Sequence, residues 1–189
     1  MSTAHPPTSE NYGGEPTVSD RSPEAVARDF FDAFDRKDVE KLLSLVSDDI
    51  VEDVPGVGII EGTEQERSFL NSLFSSFPDM ATDVTRVTTS GGVVAVEWSR
   101  RGTFTGEPWQ GLPANGRTFD TRGAAFVEVS GSRVTRVTIY SDQATLARDL
   151  GVLPAEGSGA ERLALAMFRA RVKSRRILGA LLPSRKGRN

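Results

Sequence analysis

Three acids spread along the chain, Asp53, Glu97 and Asp142, are of the residue type that moves protons. Asp53 follows Glu52 in a short apolar stretch closed by Pro55-Gly56. Successive strand residues alternate faces, so only one of these two acids can turn inward. Glu97 stands mid-strand opposite the face that carries Val94, Val96 and Trp98. It is solvated, or at a dimer contact, if those three face a core, and it enters a pocket if the pleat runs the other way. Asp142 precedes a short helical stretch, where an N-cap role explains an aspartate completely. The chain has no cysteine, which excludes a disulfide framework, a thiolate nucleophile and a thiolate metal site. Its single histidine, His5, lies in a leader rich in Pro, Ser and Thr, so neither a Ser-His-Asp triad nor a multi-histidine zinc site can be built within one chain. No metal site is expected.

The elements that must position these acids can be read from the hydrophobic period. The chain has 189 residues, 38% hydrophobic, which suits one domain with a real core. No apolar run is long enough to span a bilayer and no secretory h-region opens the chain, so the expected location is cytoplasmic. Residues 1–21 read as a disordered leader. Ser22-Pro23-Glu24 opens a helix with Val26, Phe30, Ala33 and Phe34 on one face, and a second follows Asp38. Ile50–Val54 reads as a short strand. Thr63 and Glu66 have the spacing of a capping box, ahead of a helix that carries Phe69, Leu70, Leu73 and Phe74 inward. From residue 81 the period changes to two. Strands follow over 81–89, Val93–Arg101, Arg117–Ser130 and Val134–Ser141, then a helix over Ala144–Leu150. Arg100 and Arg101, just before a turn, read as surface charges. Helices first and then a run of strands make an α+β layout over residues 22–154: a curved antiparallel sheet with helices packed into its concave side.

Charge is distributed unevenly. Residues 157–189 carry +8, whereas residues 22–156 carry −9. The acidic body is a poor surface for nucleic acid, and no nucleic-acid partner is expected. After a linker at 155–160, residues 161–182 place Leu163, Met167, Ala170, Ile177, Leu178 and Leu181 at helical spacing among Arg169, Lys173, Arg175 and Arg176. This basic amphipathic helix suits docking on an acidic domain, its own or a second subunit's, or a peripheral membrane or partner contact. Residues 183–189 read as a disordered basic tail.

Gly102-Thr103-Phe104-Thr105-Gly106-Glu107 and Gly111-Leu112-Pro113-Ala114-Asn115-Gly116-Arg117 resemble the G-T-H-x-G-x-F-x-G-x-P-P-T-G-R pattern of the SnoaL-like polyketide cyclases. Tyr140-Ser141-Asp142-Gln143 with Leu146-Ala147-Arg148-Asp149-Leu150-Gly151 resembles that family's closing D-x-x-x-L-x-x-Q-L-G. The resemblance implies a nuclear-transport-factor-2-like cone of bent antiparallel sheet closed by three helices around an apolar pocket. It also implies an intramolecular aldol closure in which a pocket acid moves a proton at carbon, with no cofactor. The family's catalytic aspartate position is Ile139 here, its polar partners fall on Gly123 and Ala125, and its motif histidine is Phe104. Val51-Glu52-Asp53-Val54-Pro55 also resembles the V-E-D-P of the ketosteroid isomerases, which implies Asp53 as a general base. The tyrosine and aspartate of that enzyme's oxyanion hole fall near Phe30 and Ala124.

Two functions follow from these readings. One is a cyclase or isomerase acting on an apolar, carbonyl-bearing, polyketide- or terpenoid-like molecule, with Asp53 as base and Glu97 or Asp142 as acid. The other is a non-catalytic binding module for a hydrophobic small molecule. Either would use a pocket lined by Phe30, Phe34, Phe69, Leu73, Trp98, Gly123, Ala125 and Ile139. Relatives commonly pair through the face that here carries Asp120, Arg122, Phe126, Glu128, Thr138 and Tyr140, which implies a homodimer.

Overall fold

A computed structural model describes residues 21–181, with side chains to 173. The expected disorder of the leader (but for Arg21) and of residues 183–189, and the position of His5, lie outside the described residues. Helix α1 (Pro23–Asp35) starts where Ser22 Oγ accepts from Ala25 N at 3.2 Å, with proline in the first turn. It buries Val26, Ala27, Phe30, Phe31, Ala33 and Phe34. Lys37, at φ 58°, reverses the chain into α2 (Val39–Leu45), which Asp38 caps. Strand β1 (Val46–Val54) is longer than its apolar part, and the edge strand β2 (Gly58–Glu61) was not visible in the period. Helix α3 (Gly62–Ser76) then leads to β3 (Ala81–Ser90), β4 (Val93–Thr103), β5 (Thr118–Ser130) and β6 (Arg133–Ser141). The last two helices are α4 (Gln143–Asp149) and α5 (Gly159–Leu181).

The strands form one curved, unclosed six-stranded sheet in the order β2-β1-β6-β5-β4-β3. It is not antiparallel throughout, because β1 and β6 pair in parallel. Only strands joined by a tight turn must run oppositely. Helix α3 carries the chain from β2 at one edge to β3 at the other, and the meander walks back until β6 meets β1 with no turn between them. Register shifts between Val84 and Arg86 and between Glu128 and Val129 add bends to the long strands.

Helices α1, α2 and α3 cover one face of the sheet, and their apolar residues meet Val94, Val96, Trp98, Ala125, Val127 and Val137 in a single core. On α5 the apolar residues Leu163, Met167 and Phe168 are 63%, 65% and 66% exposed. The described part of this helix therefore does not dock on its own domain. No helix among the described residues is long and apolar enough to cross a membrane.

Candidate active site

The two glycine-rich motifs hold each other and frame a cavity. Phe104 N donates to Arg117 O at 2.9 Å, and the fully buried Phe104 ring lies 4.9 Å from that of Phe77. Arg117 Nε donates to Asp149 O at 2.6 Å, and Asn115 Nδ2 donates to Leu150 O at 2.9 Å. Gly106 lies so close to the end of α3 that a Cβ there would stand 1.7 Å from Ser75 O. Between these contacts the chain makes a two-residue reversal at Gln110 and Gly111, both at positive φ, which brings Trp109 to within 5.9 Å of Phe69 between ring centres.

Beneath this loop lies a cavity of about 260 Å³. Phe30, Phe31 and Phe34 from α1, Phe69 and Leu73 from α3, Trp98 from β4, Ala125 from β5, Ile139 from β6 and Leu146 from α4 supply apolar wall. Of the expected lining only Gly123 is missing. Its Cβ would stand 2.5 Å from Trp98 Cζ2, so the bare backbone makes room for the indole rather than for a ligand.

Two ionisable side chains line this cavity, Glu52 and Arg100. Pleating puts Ile50 and Glu52 on the inner face of β1, and Glu52 is 3% exposed. Arg100 continues the inward series Val94, Val96, Trp98 on β4, so reading it as a surface charge is corrected. Its guanidinium carbon lies 4.4 Å above the Phe34 ring and 4.6 Å from that of Trp98, within cation–π reach of both. Nε donates to Thr82 Oγ1 at 3.0 Å, and Thr82 N donates to Asp35 Oδ1 at 2.7 Å, which fixes the arginine to the end of α1. Burial lowers the Arg100 pKa to about 10, while Glu52 and Asp35 oppose the shift. The guanidinium therefore stays charged at neutral pH. Burial pushes the Glu52 carboxyl well above the usual range, Glu66 adds to the shift, and Arg100 opposes it. Glu52 is thus a buried carboxyl held toward its protonated form, on the same cavity wall as the Arg100 cation.

The acids singled out from the sequence lie elsewhere. Asp53 is exposed on the opposite face of β1, because the inward register belongs to Ile50 and Glu52. Glu97 is exposed and meets Arg86 at 3.4 Å, since Val96 and Trp98 take the core side. Asp142 caps α4: its Oδ1 accepts from Thr145 N at 3.0 Å and its Oδ2 from Thr145 Oγ1 at 2.8 Å. The backbone and side-chain hydrogen bonds from Thr145 hold its carboxyl below the ordinary value. None of the three lines the cavity. The signals that would have found the pair were local, namely two residues on from Ile50 and two on from Trp98.

Glu66 also departs from its expected place. The helix starts two residues earlier than the capping-box reading required, with Glu61 rather than Thr63 at the N-cap. Gln65 Oε1 reaches back to accept from Glu61 N at 3.2 Å, which is the role expected of Glu66. Glu66 instead turns inward and is 1% exposed.

The family model for SnoaL-like polyketide cyclases matches residues 25–150. No match is found among curated proteins. Among solved structures the chain is similar to IdmH of Streptomyces antibioticus, a proposed polyketide cyclase, at 25% identity and TM-score 0.60, over 69% of this chain and 99% of that one. It is similar to a proposed SnoaL-like polyketide cyclase of Jannaschia sp. CCS1 at 20% identity and TM-score 0.64, over 71% and 99%. AclR of Streptomyces galilaeus, a proposed hydroxylase, has the same fold at 17% identity and TM-score 0.63, over 82% and 96%. With the matched stretch running from the first turn of α1 to the end of α4, the chain belongs to the SnoaL-like polyketide cyclase family.

Proposed function

We propose that the protein is a cofactor-independent cyclase or isomerase for an apolar, carbonyl-bearing small molecule, with Glu52 moving the proton and Arg100 holding the oxygen on which charge develops. The observation that carries this reading is that, among the described residues, these are the two ionisable groups on a mainly apolar cavity wall, which also carries the neutral polar side chains Gln110, Thr121, Ser141 and Gln143. Family membership supports an activity of the cyclase or isomerase kind. Protonated Glu52 gives its proton to the carbonyl oxygen, and its carboxylate then takes one from the α-carbon, leaving an enol and a restored catalyst. In an aldol closure the enol carbon attacks a second carbonyl of the same molecule. A C–C bond forms, and the proton released from the enol oxygen ends on the new hydroxyl. As the C–C bond forms, negative charge grows on the oxygen of the second carbonyl, and the guanidinium stabilises it in a site where dry walls strengthen the interaction.

A second reading, a binding module without chemistry, draws on Ile139, which occupies the family's acid position and lines the cavity. The test is exchange of α-hydrogens of cyclic ketones and polyketide-like diketones with deuterated water, followed by NMR. The wild type exchanges them and Glu52→Gln does not, while both bind the ketone. Binding without exchange in the wild type leaves the second reading. The homodimer is proposed to form through the outer sheet face. Phe126 and Tyr140 there are 44% and 61% exposed, and their rings meet edge to face at 6.1 Å.

A further inference from the structure

Two acidic side chains are buried among the described residues, Glu52 and Glu66, and neither the fold nor the reaction accounts for the second. The buried Ser76, Thr82 and Thr121 side chains have partners, whereas the Ser47 hydroxyl, like Glu66, is buried without one. Ser76 Oγ donates to Ser72 O, Thr82 Oγ1 accepts from Arg100, and Thr121 Oγ1 donates to Asp142 O. Both carboxylate oxygens of Glu66 are buried with no hydrogen-bond partner. Leaving such a group unpaired works against folding. Local structure offers no reason for it, since Gln65 serves the helix start. Nor does an ion pair: the adjacent Arg67 reaches out from the helix to Glu40. A residue that breaks a folding rule with no local benefit points to a role in the site.

The surroundings name that role. Helix α3 packs on β1, the strand that carries Glu52 into the cavity. From the elements against Glu66, the charged groups Glu40 and Lys41 of α2, Asp48, Asp49 and Asp53 of β1, Glu61 of β2 and Glu64 of α3 are exposed. Glu52 is the buried acid on those elements, and the ladder pairs it with Ile60, two residues before α3 begins. We propose that Glu66 is a positioning residue for Glu52: a second buried carboxyl on the helix packed against its strand, it backs the carboxyl that delivers a proton to the substrate carbonyl. This rests on Glu52 being the proton donor. Two buried carboxyls that feel one another cannot both ionise readily, so one stays protonated while the other titrates. Burial raises the Glu66 carboxyl to about 7, and it raises Glu52 as well, with Glu66 adding to the effect. The carboxyl on the cavity wall, which meets substrate, is thereby held toward its protonated form.

The test is an infrared titration of the ligand-free protein, following the C=O band of protonated carboxyls, beside the pH profile of α-hydrogen exchange. The Glu52 component is the part of the band lost in Glu52→Gln. In Glu66→Gln its midpoint falls by about one pH unit or more, and the alkaline limb of the exchange profile moves with it. Glu66→Leu fills the volume without burying a polar group and gives the same fall. A merely structural Glu66 would leave the Glu52 midpoint in place in both variants, and that result overturns the inference. The infrared midpoint needs no substrate, so the two readings fail separately. An unmoved midpoint with Glu52-dependent exchange overturns the role of Glu66 alone. A moved midpoint with no exchange in any form overturns the proposed function, and with it the catalytic use of the pair.

Discussion

The proposed chemistry rests on Arg100 and Glu52, and each makes a separable prediction. Arg100→Met keeps much of the stem that packs between Phe34 and Trp98 but removes the charge. Exchange should fall by about 10²–10³-fold, the usual loss when an oxyanion partner is removed, with the fold intact by circular dichroism. The buried acids also set a pH dependence of stability. A carboxyl raised in the native state binds more protons there than when unfolded, so stability falls as pH rises between the unfolded and folded values. For Glu66 that window runs from 4.5 to about 7, a loss on the order of 3 kcal/mol. Glu52 shifts in the same direction and adds to the decline. Calorimetry from pH 5 to 8 should show a falling melting temperature, and Glu66→Leu should flatten the lower part of the slope and raise stability at pH 8. A melting temperature that rises with pH over this range would contradict the burial of these groups.

At the scale of elements, the family motifs act as clasps. Phe104 to Arg117 on one side and Arg148 to Gly151 on the other fix the loop that carries Trp109. Gly106→Ala must push against the backbone of Ser75 and should destabilise by about 2 kcal/mol or more in chemical denaturation. Asp142→Ala removes the α4 cap and should lower the melting temperature by a few degrees while exchange at Glu52 continues. The element order, the capped starts of α1 and α4 and most of the cavity wall were legible in the sequence, because helical and strand periods and cap residues are local signals. The parallel β1–β6 pair was not, since it depends on how the chain crosses between distant edges. The site was half legible. Alternation showed that one of Glu52 and Asp53 turns inward, but resemblance favoured Asp53, whereas the register set by Ile50 selects Glu52. Glu66 was hidden behind a capping pattern that Gln65 fulfils instead.

For the molecule as a whole, charge is divided between an acidic domain and a basic C-terminal helix whose described apolar side chains are exposed. Removing residues 157–189 should therefore leave the melting temperature of the remaining domain within about 2 °C of the full chain, since little packed surface is lost. A drop of more than about 5 °C would mean that the helix packs on the domain, its own or a partner's. The cavity depends on residues between Phe30 and Val152, so the shortened protein should also keep its affinity for hydrophobic ketones, read by thermal shift at saturating ligand.

In the proposed reaction the pleat of β1 gives the proton-moving role to Glu52 rather than to its neighbour. Exchange of α-hydrogens compared between Glu52→Gln and Asp53→Asn at matched ketone occupancy separates the two acids. A loss of about 100-fold or more is expected in Glu52→Gln and a rate within about twofold of wild type in Asp53→Asn. Loss in Asp53→Asn with Glu52→Gln unaffected would overturn the assignment.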